Sequence, residues 1–159
     1  VPRLVLRVIG NGQALDARVV WFDPETDVAI LAVPELEAAP LPLTDTRVDQ
    51  EGVVNGYPHG GPFTSSPARV LAISNERVAD IYGERHTVRE VATLAADVQP
   101  GNSGGPLITL DGRVAGLIFA RNAEHANLGY ATTIAHLEPL LAEAELLWEP
   151  VEPGRCVTG

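Results

Sequence analysis

The chain has one cysteine, Cys156, in 159 residues, so no disulfide can close within it. Two readings of that thiol remain: a free, exposed side chain, or half of a bridge to something outside this chain. Basic residues are scarce as well, with 11 Lys and Arg against 21 Asp and Glu and a net charge of −10. Binding to a phosphate backbone needs a basic face, so nucleic acid is not an expected partner. No apolar run approaches the roughly 18 residues that a membrane-spanning helix requires. No signal-peptide pattern opens the chain. Any targeting or anchoring segment is therefore expected ahead of Val1, or does not exist. The sequence has no internal repeat and no low-complexity segment. Its histidines and its cysteine are too scattered for a metal site, and no cofactor is implied.

Hydrophobic residues make up 45% of the chain, which excludes wholesale disorder. The 15 glycines and 13 prolines point to short elements joined by turns. Leu4 to Ile9 and Ala14 to Phe22 read as strands on either side of Asn11-Gly12, a hairpin signal. Asp23 to Thr26 reads as a turn, and Val28 to Val33 as a buried strand. Pro34 to Gln50 is a surface connection. Val53 to Tyr57 reads as a strand closing a first lobe, with the lobe boundary at His59-Gly60-Gly61-Pro62. Further strands are expected at 68–74, 88–96, 105–110 and 113–120, with a shorter one at 129–131. Asp111-Gly112 marks another hairpin. A helix follows Thr133, its expected N-cap, with Ile134, Leu137, Leu140, Leu141 and Ala144 at helical spacing. The fold class is all-β, in two lobes over 1–60 and 61–159 with a C-terminal helix.

The most informative string is Gly101-Asn102-Ser103-Gly104-Gly105-Pro106. A nucleophilic serine needs its hydroxyl in a cleft and backbone N–H groups aimed where an oxyanion forms. The tight bend that provides both favours residues without a Cβ, and Gly101, Gly104 and Gly105 supply it. The N–H groups of Gly101 and Ser103 are the expected oxyanion donors. A glycine-rich turn with an incidental serine is the plain alternative. It does not account for the whole string, nor for the apolar strand and Asp-Gly hairpin that follow.

This string resembles the nucleophile motif of chymotrypsin-fold serine proteases, in the form with Asn at position 102 that is seen in the bacterial HtrA/Deg-like branch. Trypsins carry Asp there, to pair with the N-terminus freed on zymogen cleavage, so that switch is not expected here. Asp23-Pro24-Glu25-Thr26-Asp27-Val28-Ala29-Ile30-Leu31 resembles the stretch that carries the triad acid, which implies that Asp27 orients the histidine. Asn55 to Gly61, Phe63 to Val70, Asp80 to Gly83 and Ala95 to Val98 narrow the resemblance. They are similar, in order, to the membrane-anchored periplasmic serine proteases of actinobacteria, the family of the mycobacterial acid-resistance protease. That resemblance implies two chymotrypsin-like β-barrel lobes, the first incomplete at its N-terminus. It implies a protease domain outside the cytoplasmic membrane, in a parent protein anchored by an upstream segment. It also implies a disulfide from Cys156 to a segment missing here. Phe119, Ala120 and Arg121 would form the edge that pairs with substrate backbone. Asp97, six residues before Ser103, has the spacing that trypsins use for the acid at the base of the specificity pocket; a strand-end acid facing solvent is the alternative.

The triad order of this fold is His, Asp, Ser. None of the 26 residues before Asp27 is a histidine; His59, His86, His125 and His136 all follow it. The family's Thr-x-x-His stretch is expected just ahead of Val1. Serine is a poor nucleophile without an adjacent base, so the chain by itself should be nearly inactive. An N-terminal protease fragment or a second copy would complete the first lobe. A catalytically silent module that binds peptides is the second functional class.

Overall fold

The computed structural model describes residues 6–10 and 12–155. Cys156, the expected strand positions Leu4 and Val5, and the expected turn residue Asn11 lie outside the described residues. The described residues form nine strands, one α-helix and two short 3₁₀ turns. They divide into two compact units. One takes the described residues up to Pro40, Ala79–Thr87, and those from Leu140 on; the other takes Leu41–Val78 and Val88–Pro139.

The first unit is built on a three-stranded antiparallel sheet of β1 (Leu6–Gly10), β2 (Gln13–Asp23) and β3 (Val28–Ala32). The expected hairpin is present, with Gly10 opposite Gln13 and Leu6 opposite Ala17. A register shift between Val19 and Trp21 bends β2 against β3, so that Val19 and Val20 are both buried beside Ala32. The turn into β3 is a local construction. The Asp23 carboxylate accepts the Glu25 N–H at 2.9 Å and the Thr26 hydroxyl at 2.7 Å.

The second unit is a closed antiparallel barrel of six strands: β4 (Glu51–Gly56), β5 (Thr64–Ala79), β6 (His86–Ala96), β7 (Pro106–Thr109), β8 (Val114–Arg121) and β9 (Leu128–Thr133). Their order around the barrel is β4-β5-β6-β9-β8-β7. Alternate positions turn inward, as the period of a strand requires. Val54, Val70, Leu94, Leu107, Ala115, Ile118 and Ala131 form the core. Each fully buried Val, Leu or Ile among these contributes about 1.5–3 kcal/mol.

The strand at 51–56 departs from the sequence reading. It does not close a first lobe but is a stave of the barrel, paired with β5 from Glu51–Arg69 to Gly56–Thr64 and with β7 from Gly52–Thr109 to Val54–Leu107. Its apolar alternation suits either lobe, and only the partners that complete its hydrogen bonding decide between them. The helix α1 (Ile134–Glu143) begins where expected. Thr133 is fully buried; its Oγ1 accepts the His136 N–H at 3.3 Å and donates to Glu90 at 2.6 Å.

Candidate active site

Ser103 sits exposed in the loop between β6 and β7. Because β7 lies between β8 and β4, this loop emerges between those two strands, and both grip it. On the β8 side, the Gly104 N–H donates to the Ile118 carbonyl at 2.7 Å, and Ile118 N–H donates to the Gly105 carbonyl at 2.9 Å. On the β4 side the fit is closer still. A Cβ on Gly105 would stand 2.2 Å from the Asn55 carbonyl oxygen, so only glycine lets the two backbones meet.

Asn102 is the internal strut of the loop and is 2% exposed. Its N–H donates to the Gln99 carbonyl at 2.9 Å, and its Oδ1 accepts the Gln99 N–H at 2.8 Å. Its carbonyl accepts the Gly105 N–H at 2.9 Å. These bonds consume the backbone donors of Asn102, Gly104 and Gly105. The N–H groups of Gly101 and Ser103 have no acceptor among the described residues. The Ser103 hydroxyl makes one long contact, 3.5 Å to the Phe119 carbonyl, which is at the outer limit of hydrogen bonding.

Gly101 adopts φ +100°, a backbone conformation open to glycine and strained for other residues. It also abuts the segment after β4: a Cβ there would lie 2.4 Å from the Tyr57 carbonyl oxygen. The same segment donates the His59 N–H to the Pro100 carbonyl at 2.6 Å. The 57–63 loop therefore braces the nucleophile loop from the side opposite β8. This contact was not legible in the sequence, which marked His59 to Pro62 only as a lobe boundary.

Phe119, Ala120 and Arg121 close β8. Ile118 pairs with Ala131 and Ala120 with Tyr130, so Phe119 is the extra residue of a bulge, and its carbonyl faces Ser103. Its half-buried ring lies 6.4 Å from that of Tyr130. The guanidinium of Arg89, a residue only 2% exposed, lies 4.8 Å from the Phe119 ring centroid. Sequence reading had given Arg89 no part in the site. Asp97 is exposed just past β6, and its carboxylate accepts a hydrogen bond from the Gln99 side-chain amide.

Asp27 belongs to the first unit and is exposed at the start of β3. Its φ of +57° places it in the left-handed region, which Asp tolerates better than most residues. The turn before it is held by the β5–β6 tip. Ile81 N–H donates to the Pro24 carbonyl at 3.1 Å, Thr87 Oγ1 to the Glu25 carbonyl at 3.0 Å, and Arg85 to the Glu25 carboxylate at 3.2 Å. The tip is itself organised around Asp80. Burial alone would raise that carboxyl, but the backbone N–H groups of Glu84, Arg85, Tyr82 and Gly83 outweigh it and hold the group below the usual carboxylate range. Of the four histidines, His59, His86 and His125 are exposed and His136 is partly buried in α1.

A serine on a glycine bend, two uncommitted N–H donors beside it and a carbonyl-bearing strand edge are features that an acyl-transfer nucleophile site requires. Residues 2–117 match the model of the trypsin-like peptidase domain, and the chain belongs to that family. It is similar to the serine protease Rv3671c of Mycobacterium tuberculosis, to which it is 40% identical over 154 residues. That match covers 95% of this chain and 38% of the relative, so the chain spans little more than a third of the relative's length. A probable periplasmic DegP-like serine endoprotease of Halomonas elongata is 34% identical over 136 residues, covering 82% of this chain and 27% of that protein. The crystal structure of the active form of the Rv3671c protease superposes with a TM-score of 0.90 at 39% identity, covering 96% of this chain and 68% of that one. The inactive form gives a TM-score of 0.77 at 40% identity, covering 87% of this chain and 71% of that one.

Proposed function

We propose that the protein carrying this chain is a serine endopeptidase that cleaves peptide bonds through an acyl-enzyme. The observation that carries the reading is the Gly101–Gly105 loop. It exposes the Ser103 hydroxyl and keeps two backbone N–H groups unspent beside it. Ser103 attacks the scissile carbonyl. Gly101 and Ser103 donate to the oxyanion, an interaction worth about 10²–10³ in rate per donor. Asp27 orients a histidine supplied from outside these 159 residues. Phe119, Ala120 and Arg121 pair with the acyl half of the substrate as an added strand. Asp97 serves as the acid of the specificity pocket and favours Lys or Arg before the scissile bond.

The setting we propose is extracytoplasmic, in a parent protein anchored through a segment ahead of Val1. The Halomonas relative is named as periplasmic, and no helix among the described residues is long and apolar enough to cross a membrane itself. The Cys156 thiol bridges to that upstream segment.

The test is fluorophosphonate labelling of the longer protein. Labelling that disappears in Ser103→Ala is expected. No labelling in a folded protein whose upstream Thr-x-x-His is intact sinks the protease reading and leaves a silent peptide-binding module.

A further inference from the structure

The chain has only three Phe and three Tyr, and one of each stands exposed in the loop that braces Gly101. Tyr57 is 58% exposed and Phe63 57%, yet their rings meet edge to face with centroids 5.6 Å apart. Such pairing normally stabilises aromatics that are being buried; here it builds an apolar platform open to solvent. The loop that carries it is pre-organised. Gly60 N–H donates to the Tyr57 carbonyl at 3.0 Å and Gly61 N–H to the Pro58 carbonyl at 2.9 Å, with Pro58 and Pro62 limiting the backbone further. No Asp, Glu, Lys or Arg occurs between Tyr57 and Thr64.

The position of the platform gives it a role. Ser103 is bounded by β8 on one side and by β4 with the 57–63 loop on the other, because β7 lies between β8 and β4. On the reading proposed above, the acyl half of a substrate pairs with Phe119–Arg121 on the β8 side. The half that leaves must then depart across the opposite boundary, over Gly101 and onto the 57–63 loop. We infer that Tyr57 and Phe63 form a binding subsite for the leaving half of the substrate. It accepts an aromatic or leucine-like side chain at the first residue after the scissile bond.

This inference rests on the protease reading, and one experiment separates the two. The acyl-enzyme of the longer protein is formed from a peptide ester and offered amine acceptors in place of the leaving half. The acceptor nitrogen bonds to the acyl carbon, the bond from that carbon to Ser103 Oγ breaks, and the proton lost by the amine returns to Oγ. Water competes for the same intermediate, so the ratio of amide to acid product reports acceptor binding. Phenylalaninamide and leucinamide are expected to exceed glycinamide by about tenfold, the discrimination that an apolar contact of this size gives. Tyr57→Ala and Phe63→Ala are each expected to bring the preference to about twofold. Leu110→Ala, which removes an exposed apolar side chain at the far end of β7, should leave it at tenfold. A preference that is absent, or that survives the double Tyr57→Ala, Phe63→Ala variant, overturns the inference while the acyl-enzyme upholds the protease. Failure to form any acyl-enzyme overturns both.

Discussion

Gly101 offers the sharpest test of the nucleophile loop, through Gly101→Ala. Two costs add at this position. At φ +100° an alanine pays roughly 1–2 kcal/mol of backbone strain. Its methyl carbon would also stand 2.4 Å from the Tyr57 carbonyl oxygen, and that partner is backbone. Either the 57–63 loop retreats by about 1 Å to restore ordinary contact, or Gly101 rotates and carries its N–H away from Ser103. A misplacement of about 1 Å at a reacting centre costs on the order of 100-fold in rate. Losing one oxyanion donor costs a similar factor. The expected result is a fall of about 100-fold in kcat for peptide ester hydrolysis by the longer protein, with KM little changed. Thermal unfolding should drop by only a few degrees, because the barrel core is untouched. A variant that keeps kcat within about threefold of the parent would refute the assignment of the Gly101 N–H.

Two further predictions concern the support of the loop and the acid sensitivity of the fold. Asn102→Ala removes the acceptor of the Gln99 N–H from a nearly buried position and should cost about 1–3 kcal/mol in urea unfolding. A change below about 0.5 kcal/mol, the range of an inert surface substitution, would deny Asn102 its role as strut. Asp80 has a folded-state pKa held below the unfolded value, so its carboxylate favours the folded form. That contribution is complete above the unfolded value of about 4 and is lost as pH falls through the depressed folded value. Thermal midpoints taken from pH 6 down to pH 2 should therefore fall more steeply in the parent than in Asp80→Asn, and equal slopes would remove Asp80 from the acid sensitivity.

Much of the fold and part of the site could be read without coordinates, and the parts that could share a physical cause. Asp23 caps its own turn through bonds two and three residues away. Gly101 and Gly104 bend the backbone by their own φ angles of +100° and +82°. Thr133 caps α1 through a contact three residues on. Each of these is local, so residue types at fixed offsets suffice to announce it. The strand alternation is local too, which is why the barrel strands were expected near where they occur.

Features made by distant partners stayed hidden. The alternation in 51–56 marks a strand, but its assignment to the barrel depends on pairing with β5 and β7, more than fifty residues away in the second case. The bulge that turns the Phe119 carbonyl to Ser103 depends on the register of β8 against β9. The brace of Gly101 by Tyr57 and His59 joins segments some forty residues apart. The sequence alone determined the glycine bend that presents Ser103 and the turn that precedes Asp27, because those are properties of short backbone runs. Tertiary structure alone decided which strand edge and which aromatic loop flank Ser103, because strand register and barrel closure are set by long-range pairing.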